Sequence, residues 1–554
     1  MFVYEFMAGI VDHITGEETE YYDPHENRKV EKPTSYADTM MHLLKGSIGA
    51  GVLAMADAVA RVGIIGSIFG ILLIGSFATY CVQLLIAAQY RLCKKWRRGY
   101  MAYPKSMFLA LKDGPPCMRW AAKSLYYFVD TVLVLWQLGI CCIYCVFVAE
   151  NIKQVCDYYG QEMSLRYHLC FLIVPLTIMG LVKDLKLLTP FSSISNVVTA
   201  FGFILVFFYL IEDDVTIEEE KLQLKAYKEI PFFIGTTLFA LEAVGVVLAL
   251  EYNMENPKRF VGLFGLFNIG MAIIMSLYLL MGIFGYLKYG DDIKASITLN
   301  LPHNEKKAQV AKIIFAISIF LTFPLQNFVA YNILWRKIKK ALGHQKHIYC
   351  VDYMLRIVLV ILPWSVAVAV PKLGPFIALF GALCLTLLAM VFPGLMDACV
   401  WYPIGYGLCR YRLVRDIFIV IIGLTCLFSG CYTSLLEIAA IAYYSVYPPS
   451  APLYLLSISS LSHEDSGFEQ QSKVSMAILF LTGTEKNAES CMEREEKWVK
   501  DLRMLRDSHV RLVLRQLRQL QDIERLSRDF TTKNLTQHVP SSRQLDLGTI
   551  ETRI

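Results

Sequence analysis

The stretch His42-Leu43-Leu44-Lys45-Gly46-Ser47-Ile48-Gly49-Ala50-Gly51 sets three glycines within six residues, inside an apolar run covering 41–60. Each glycine costs a helix interior about 1 kcal/mol relative to alanine, so three this close make local unwinding cheap. Two readings follow. The small residues can let helices pack closely. Alternatively, the helix breaks here, which a bilayer tolerates only where protein or a water-filled cavity satisfies the bare peptide groups. A break presents half-helix N-termini, suited to a carboxylate, and free carbonyls, suited to a cation or an ammonium.

The same apolar character recurs along the chain. Of 554 residues, 55% are hydrophobic and only 18% charged, with a mean hydropathy of +0.46. A soluble chain carries about a quarter charged residues. Runs of roughly twenty apolar residues are long enough to cross a hydrocarbon core. Eleven such spans are expected, with cores near 41–60, 63–90, 121–149, 167–182, 188–211, 231–250, 261–287, 309–335, 351–370, 373–396 and 415–438. Val370-Pro371-Lys372-Leu373-Gly374-Pro375 divides two of them, because proline and glycine break a run too long for one crossing.

Basic residues set the orientation. Lys and Arg crowd the connections after spans two (Arg91 to Arg119), eight (Arg336 to Lys346) and ten (Arg410 to Arg415). With alternating spans these connections share one side, which is expected to be cytoplasmic, with the N-terminus. The acidic segment Glu212-Asp213-Asp214 through Glu218-Glu219-Glu220 falls on the other side. Residues 1–38 read as a disordered cytoplasmic arm, not a cleavable signal, so the first span is expected to act as its own insertion signal. Residues 39–445 form the membrane domain. Residues 446–554 read as a polar extension, partly helical or disordered, with Leu502, Leu512, Leu517 and Leu520 spaced among many charges. Two short motifs there conflict. Asn534-Leu535-Thr536 is a glycosylation sequon, which needs a luminal tail, whereas Glu551-Thr552-Arg553-Ile554 resembles a C-terminal ligand of PDZ domains, which needs a cytoplasmic one. Many of the 15 cysteines (Cys141, Cys142, Cys145, Cys384, Cys426 and Cys431 among them) lie in apolar runs and read as packing residues. The one CxxC spacing, Cys142 to Cys145, lies inside an apolar run, so neither a metal nor an organic cofactor is expected.

The sixth span, Gly235-Thr236-Thr237-Leu238-Phe239-Ala240-Leu241-Glu242-Ala243-Val244-Gly245, is a second candidate break. A mid-span carboxylate is expensive: Glu242 faces a pathway or is held neutral in a structural hydrogen bond. Interruptions five spans apart fit a transporter of two inverted five-helix repeats, with its site near the midplane. His42, at the start of the first span, can carry a proton or serve as an interfacial anchor. Asp57, Asp130 and Glu437 stand near span ends and read as interfacial or structural. Ser318 and Thr322 in span eight are candidate cation ligands, although membrane hydroxyls commonly bond their own backbone.

His42 through Gly51 resembles the first-span motif HLLKGNIGTG of the proton-coupled amino acid transporters, a branch of the amino acid/auxin permease family. Similar matches follow at Gln137 through Tyr144, at Phe239 through Leu248 with Glu251, Asn253, Met254 and Pro257, and at Gly290 through Pro302. The resemblance covers roughly 35–440. It implies an all-α membrane protein of eleven helices in a LeuT-like 5+5 inverted repeat, with helices 1 and 6 broken. It also implies carriage of small neutral amino acids, driven by H+ or Na+, across the plasma membrane or the lysosomal membrane. By the same resemblance Gly46, Ser47, Gly49, Ala50 and Gly51 hold the substrate's two charged ends. Phe239, Ala240, Leu241 and Glu242 form the facing wall, and His42 with Glu242 serves proton coupling. Ser47 and Ala50 stand where the motif has Asn and Thr. Leu53-Ala54-Met55-Ala56, followed by Asp57, replaces the usual LGLP. Substrate and coupling ion therefore stay open. The partners expected are small amino acids and membrane lipids, not nucleic acid.

A nutrient sensor would need the same pocket, and binding without flux would distinguish it. A channel lacks support, since no ring-forming filter motif occurs. An enzyme lacks a nucleophile, metal or phosphate-loop constellation.

Overall fold

The computed structural model describes residues 22–30, 32–182, 185–212, 221, 225, 227–241, 244–343 and 348–446. Among these residues the regular elements are helical, with one isolated bridge between Thr34 and Met254. α1 spans Tyr36–Ser47 and α2 Ala50–Lys95. Forty-six residues of helix would run about 69 Å, more than twice the hydrocarbon thickness. Gly63 resolves this: at φ 79° and ψ 168° it leaves the helical region and separates two crossings within α2. The first crossing is therefore α1 plus the start of α2, and the second begins at Ile64.

The other elements follow in order. α3 (Tyr103–Asp113) is short. α4 (Ala122–Tyr158), α5 (Leu165–Gly180) and α6 (Leu185–Ile211) are crossings three to five. α7 (Ile230–Ala240) and α8 (Val244–Asn253) together make the sixth. α9 (Leu266–Tyr289), α10 (Lys306–Leu342) and α11 (Ile348–Ala369) are seven to nine. The tenth runs from α12 (Leu373–Phe380) through two π-helical segments, Gly381–Leu385 and Leu387–Val391, into α13 (Phe392–Trp401). α14 (Tyr411–Val446) is the eleventh. Eight of the described helices are long and apolar enough to cross a bilayer, α2 carrying two crossings. The protein is an integral membrane protein. Its interruptions fall in the first and sixth crossings, the spacing expected of two five-helix repeats.

The core sits where α2 packs on α7 and α9, and α4 on α10. Cys141, Cys142, Cys145 and Cys384 are buried in it. Ion pairs group the span ends. Asp397 of α13 meets Arg91 of α2 (3.1 Å) and Arg415 of α14, and Asp130 of α4 meets Lys337 of α10 (2.5 Å). The three basic connections thus share one end of the bundle, hereafter the basic end. Asp130 is structural, as expected.

The arm departs from its disordered reading from Tyr22 onward. Arg28 donates to the carbonyls of Tyr252 (2.6 Å) and Met254 (2.7 Å), just where α8 runs out of hydrogen-bond partners. His25 Nε2 lies 2.8 Å from Glu251, and Asp23 is buried beneath Tyr90 and Lys258. Residues 1–21 and 447–554, including the leucine-spaced segment, the sequon and the C-terminal motif, lie outside the described residues.

Candidate functional site

The first crossing is interrupted at Ile48-Gly49. Ile48 turns extended (φ −90°, ψ 101°), while its N–H still closes the last turn of α1 on the Leu44 carbonyl at 2.8 Å. Gly49 is the N-cap of α2 and offers no side-chain oxygen, so no side chain caps the first amides of α2. Gly46 and Ser47 are still helical; the break is narrower than the glycine spacing suggested. In the sixth crossing, Leu241 leaves the helix at φ −79° and ψ 32°, its N–H bonded to the Thr237 and Leu238 carbonyls. α8 resumes at Val244. Glu242, the expected pathway carboxylate, lies outside the described residues.

The two breaks meet face to face. A Cβ on Gly51 would stand 2.6 Å from the Cα of Ala240, far inside van der Waals contact, so only glycine permits this approach. A Cβ on Gly49 would meet no heavy atom within 4 Å. Tyr278 of α9, fully buried, ties the pair: its hydroxyl reaches the Ser47 carbonyl (2.8 Å) and the Ala240 carbonyl, the terminal residues of α1 and α7. One phenolic proton serves one carbonyl at a time, so the other keeps accepting capacity for an ammonium. The bare amides at the start of α2 suit a carboxylate. Ser47 Oγ and Thr237 Oγ1 are buried with no hydrogen-bond partner among the described residues.

The walls are apolar. Phe239 packs edge-on against Trp136 of α4 at 5.3 Å between centroids. A small apolar cavity beside Leu241 is bounded by Val82, Met271 and Leu385. α7 lies tight against the tenth crossing, where a Cβ on Gly235 would stand 2.4 Å from the Ala378 carbonyl oxygen. The π-helical segments begin at the matching position, Gly381. Such widened turns recur at functional sites.

Other expected site residues fall elsewhere. His42 is exposed on α1, more than a turn before the break. Ser318 and Thr322 of α10 face α6: Ser195 Oγ lies 2.8 Å from Ser318 Oγ and 2.9 Å from Thr322 Oγ1, and Thr199 also reaches Ser318. They form a hydroxyl seam between two crossings. Asp57 and Glu437 join a knot that the sequence reading missed. Arg61, one turn beyond Asp57, lies 3.5 Å from Asp57, 2.8 Å from Glu229 and 3.2 Å from Glu437, with its guanidinium 3.6 Å from the Phe232 ring centroid. The knot ties the first, sixth and eleventh crossings at the end opposite the basic connections. Only the i, i+4 spacing of Asp57 and Arg61 was visible in the sequence. Tyr278 left no signal beyond its place in an apolar run.

Paired interrupted helices in an eleven-crossing bundle define a membrane carrier of small solutes. The chain belongs to the family described as transmembrane amino acid transporter protein, whose model matches residues 32–436. It is 35% identical over 418 residues to the Drosophila melanogaster protein named proton-coupled amino acid transporter-like protein pathetic, covering 75% of this chain and 88% of that one. It is 26% identical over 421 residues to amino acid transporter ANT1 of Arabidopsis thaliana, covering 73% and 93%. Among solved structures, inward-facing Mhp1 is similar at a TM-score of 0.44 and 12% identity, over 78% of this chain and 94% of that one.

Proposed function

We propose that this amino acid transporter carries small neutral amino acids together with a proton by alternating access, with its N-terminus cytoplasmic. The observation that carries the reading is the facing pair of breaks bound by Tyr278. The amides of Gly49 to Gly51 take the substrate carboxylate, and a freed carbonyl at Ser47 or Ala240 takes its ammonium. Sharing the zwitterion's charges between half-helix ends offsets the desolvation that lipid would otherwise impose. Residues 47–51 and 239–241 carry no charge, and the cavity beside Leu241 is small and apolar, which favours a short neutral side chain. The hydroxyls of Ser318 and Thr322 are already bonded to Ser195, which favours a proton over sodium.

The test is uptake of labelled alanine, glycine and proline into vesicles holding the purified full chain, with and without an inward proton gradient. Saturable uptake, accelerated by the gradient, is expected. Gly51→Val, which drives a side chain into the Ala240 backbone, abolishes it. Tyr278→Phe removes a hydrogen bond worth about 1 kcal/mol and slows uptake several-fold. Absence of saturable uptake for every amino acid tried would remove the proposal.

A further inference from the structure

Three crossings meet at the end of the bundle opposite the basic connections, and there α4 carries a row of acceptor oxygens without donors. Glu150, Asn151, Gln154 and Asp157 lie within about a third of the helix circumference, since residues three, four and seven apart share a face. Glu150 Oε2, Asn151 Oδ1, Gln154 Oε1 and Asp157 Oδ1 are each shielded from solvent with no hydrogen-bond partner among the described residues. Asn151 is 1% exposed, and its amide nitrogen is committed to the Phe147 carbonyl at 2.9 Å. Gln154 donates to the Leu299 carbonyl at 3.1 Å, and Lys153 pairs with the other oxygen of Asp157. The row runs from the helix end near exposed Tyr158 and Tyr159 inward to Glu150. Beyond Glu150, residues 138–149 of α4 carry no charge. Glu150 is thus the deepest carboxylate on that approach.

Its surroundings are unusual for a structural carboxylate. Glu150 is half-buried, and a carboxylate oxygen shielded from solvent normally meets an ion-pair partner or another donor. Glu150 forms no ion pair among the described residues. Two cations act on it from a distance, Lys294 in the connection between α9 and α10, and Lys372 at the start of α12. Lys294 donates to the Leu299 carbonyl, the acceptor Gln154 also uses. Two residues past Lys372, Gly374 lies against Asp57 of the first crossing.

We propose that Glu150 is the group on which the coupling proton boards the protein, reached along Asp157 and Gln154. This rests on the reading of the chain as a proton-coupled carrier. The donor-poor row suits a cation, and a proton is the one that a lone carboxylate can hold without a cage of ligands. Protonation removes the negative charge that Lys294 and Lys372 face, and both belong to segments closing this end of the bundle. Release of those segments links the proton to opening.

The experiment compares two modes of flux in the same vesicles: accumulation driven by an inward proton gradient, and exchange of labelled for unlabelled amino acid with no gradient. Wild type is expected to show both. Glu150→Gln loses gradient-driven accumulation and keeps exchange, because the neutral amide mimics the protonated acid permanently. A second variant, Lys294→Met with Lys372→Met, keeps coupling. Removing two cations makes the carboxylate hold its proton more tightly, so the pH of half-maximal accumulation moves upward. Gradient-driven accumulation intact in Glu150→Gln overturns the inference, as does an unmoved pH profile in the lysine variant. Absence of both modes in wild type strikes the proposed transport itself.

Discussion

The two ends of the bundle carry opposite charge arithmetic. At one, among the described residues, Arg61 meets three carboxylates, Asp57, Glu229 and Glu437. At the other, two arginines serve Asp397, which is fully buried: Arg91 at 3.1 Å and Arg415, which also holds Asp416 at 2.7 Å. Arg412 adds a third guanidinium, stacked on Trp401 at 3.4 Å from the centroid. The first knot is short of positive charge and the second of negative charge. Each joins α2 to α14, but only the first reaches α7, through Phe232 and the N-cap residue Glu229. The acid-rich end therefore holds the breaks together, while the base-rich end holds continuous helices.

The largest effects come from removing the scarce partner at each end. Asp397→Asn removes the fully buried carboxylate that Arg91 and Arg415 share; both guanidiniums are partly exposed and Arg415 keeps Asp416, so a loss at the lower end of the about 3–5 kcal/mol of a broken buried pair is expected. Arg61→Ala strands three carboxylates that are partly exposed, with Glu229 at 42%, so solvent relieves some of the repulsion. A loss of about 2–4 kcal/mol is expected there. Thermal unfolding in detergent micelles measures both. Equal, negligible shifts would dissolve the comparison.

Removing an abundant partner gives the opposite outcome and sharpens the contrast. Asp57→Asn takes away the most distant of the three carboxylates on Arg61 and leaves the bonds at 2.8 and 3.2 Å. Less mutual repulsion should balance the lost pairing, so stability stays within about 1 kcal/mol of wild type. The same unfolding measurement checks it. A loss as large as that of Asp397→Asn would show that the acid-rich knot has no surplus charge.

Much of the fold is legible in the amino-acid sequence. Runs of twenty apolar residues report crossings directly, and the break at Gly63 stands at the first residue of the expected core 63–90. Glycine spacing marked the first break because local backbone cost is a local property of sequence. The site was legible only in part. Tyr278 is one tyrosine in an apolar run, and nothing nearby says that its hydroxyl meets two carbonyls on other crossings. Arg61 and Glu437 are separated by 376 positions, a pairing that only the fold creates. The hydroxyls of Ser318 and Thr322 were singled out as cation ligands, yet which neighbour a hydroxyl faces depends on helix rotation. The docked arm was missed because its polar composition matches that of a disordered tail. Its order comes from the unsatisfied carbonyls ending α8, which Arg28 satisfies.

That arm adds one more tie and the smallest expected effect. Burial pushes the Asp23 carboxyl up, but the His25 amide (2.9 Å) and Lys258 (3.2 Å) outweigh it and hold the group below its ordinary 3.8. A carboxylate held low in the folded state contributes stability that is fully present above its unfolded value. The contribution is lost only as pH falls through the still lower folded value. Asp23 therefore keeps the arm docked unchanged between about pH 7 and pH 5, both well above that range. The effect of Asp23→Asn on the amide hydrogen exchange of residues 22–30, corrected for intrinsic rates, should be the same at both pH values. Asp23→Asn should speed the exchange by an amount equivalent to about 1 kcal/mol. Exchange that rises steeply between pH 7 and pH 5 in wild type, and no longer does so in Asp23→Asn, would mean that this carboxylate titrates higher and that the arm loosens in mild acid.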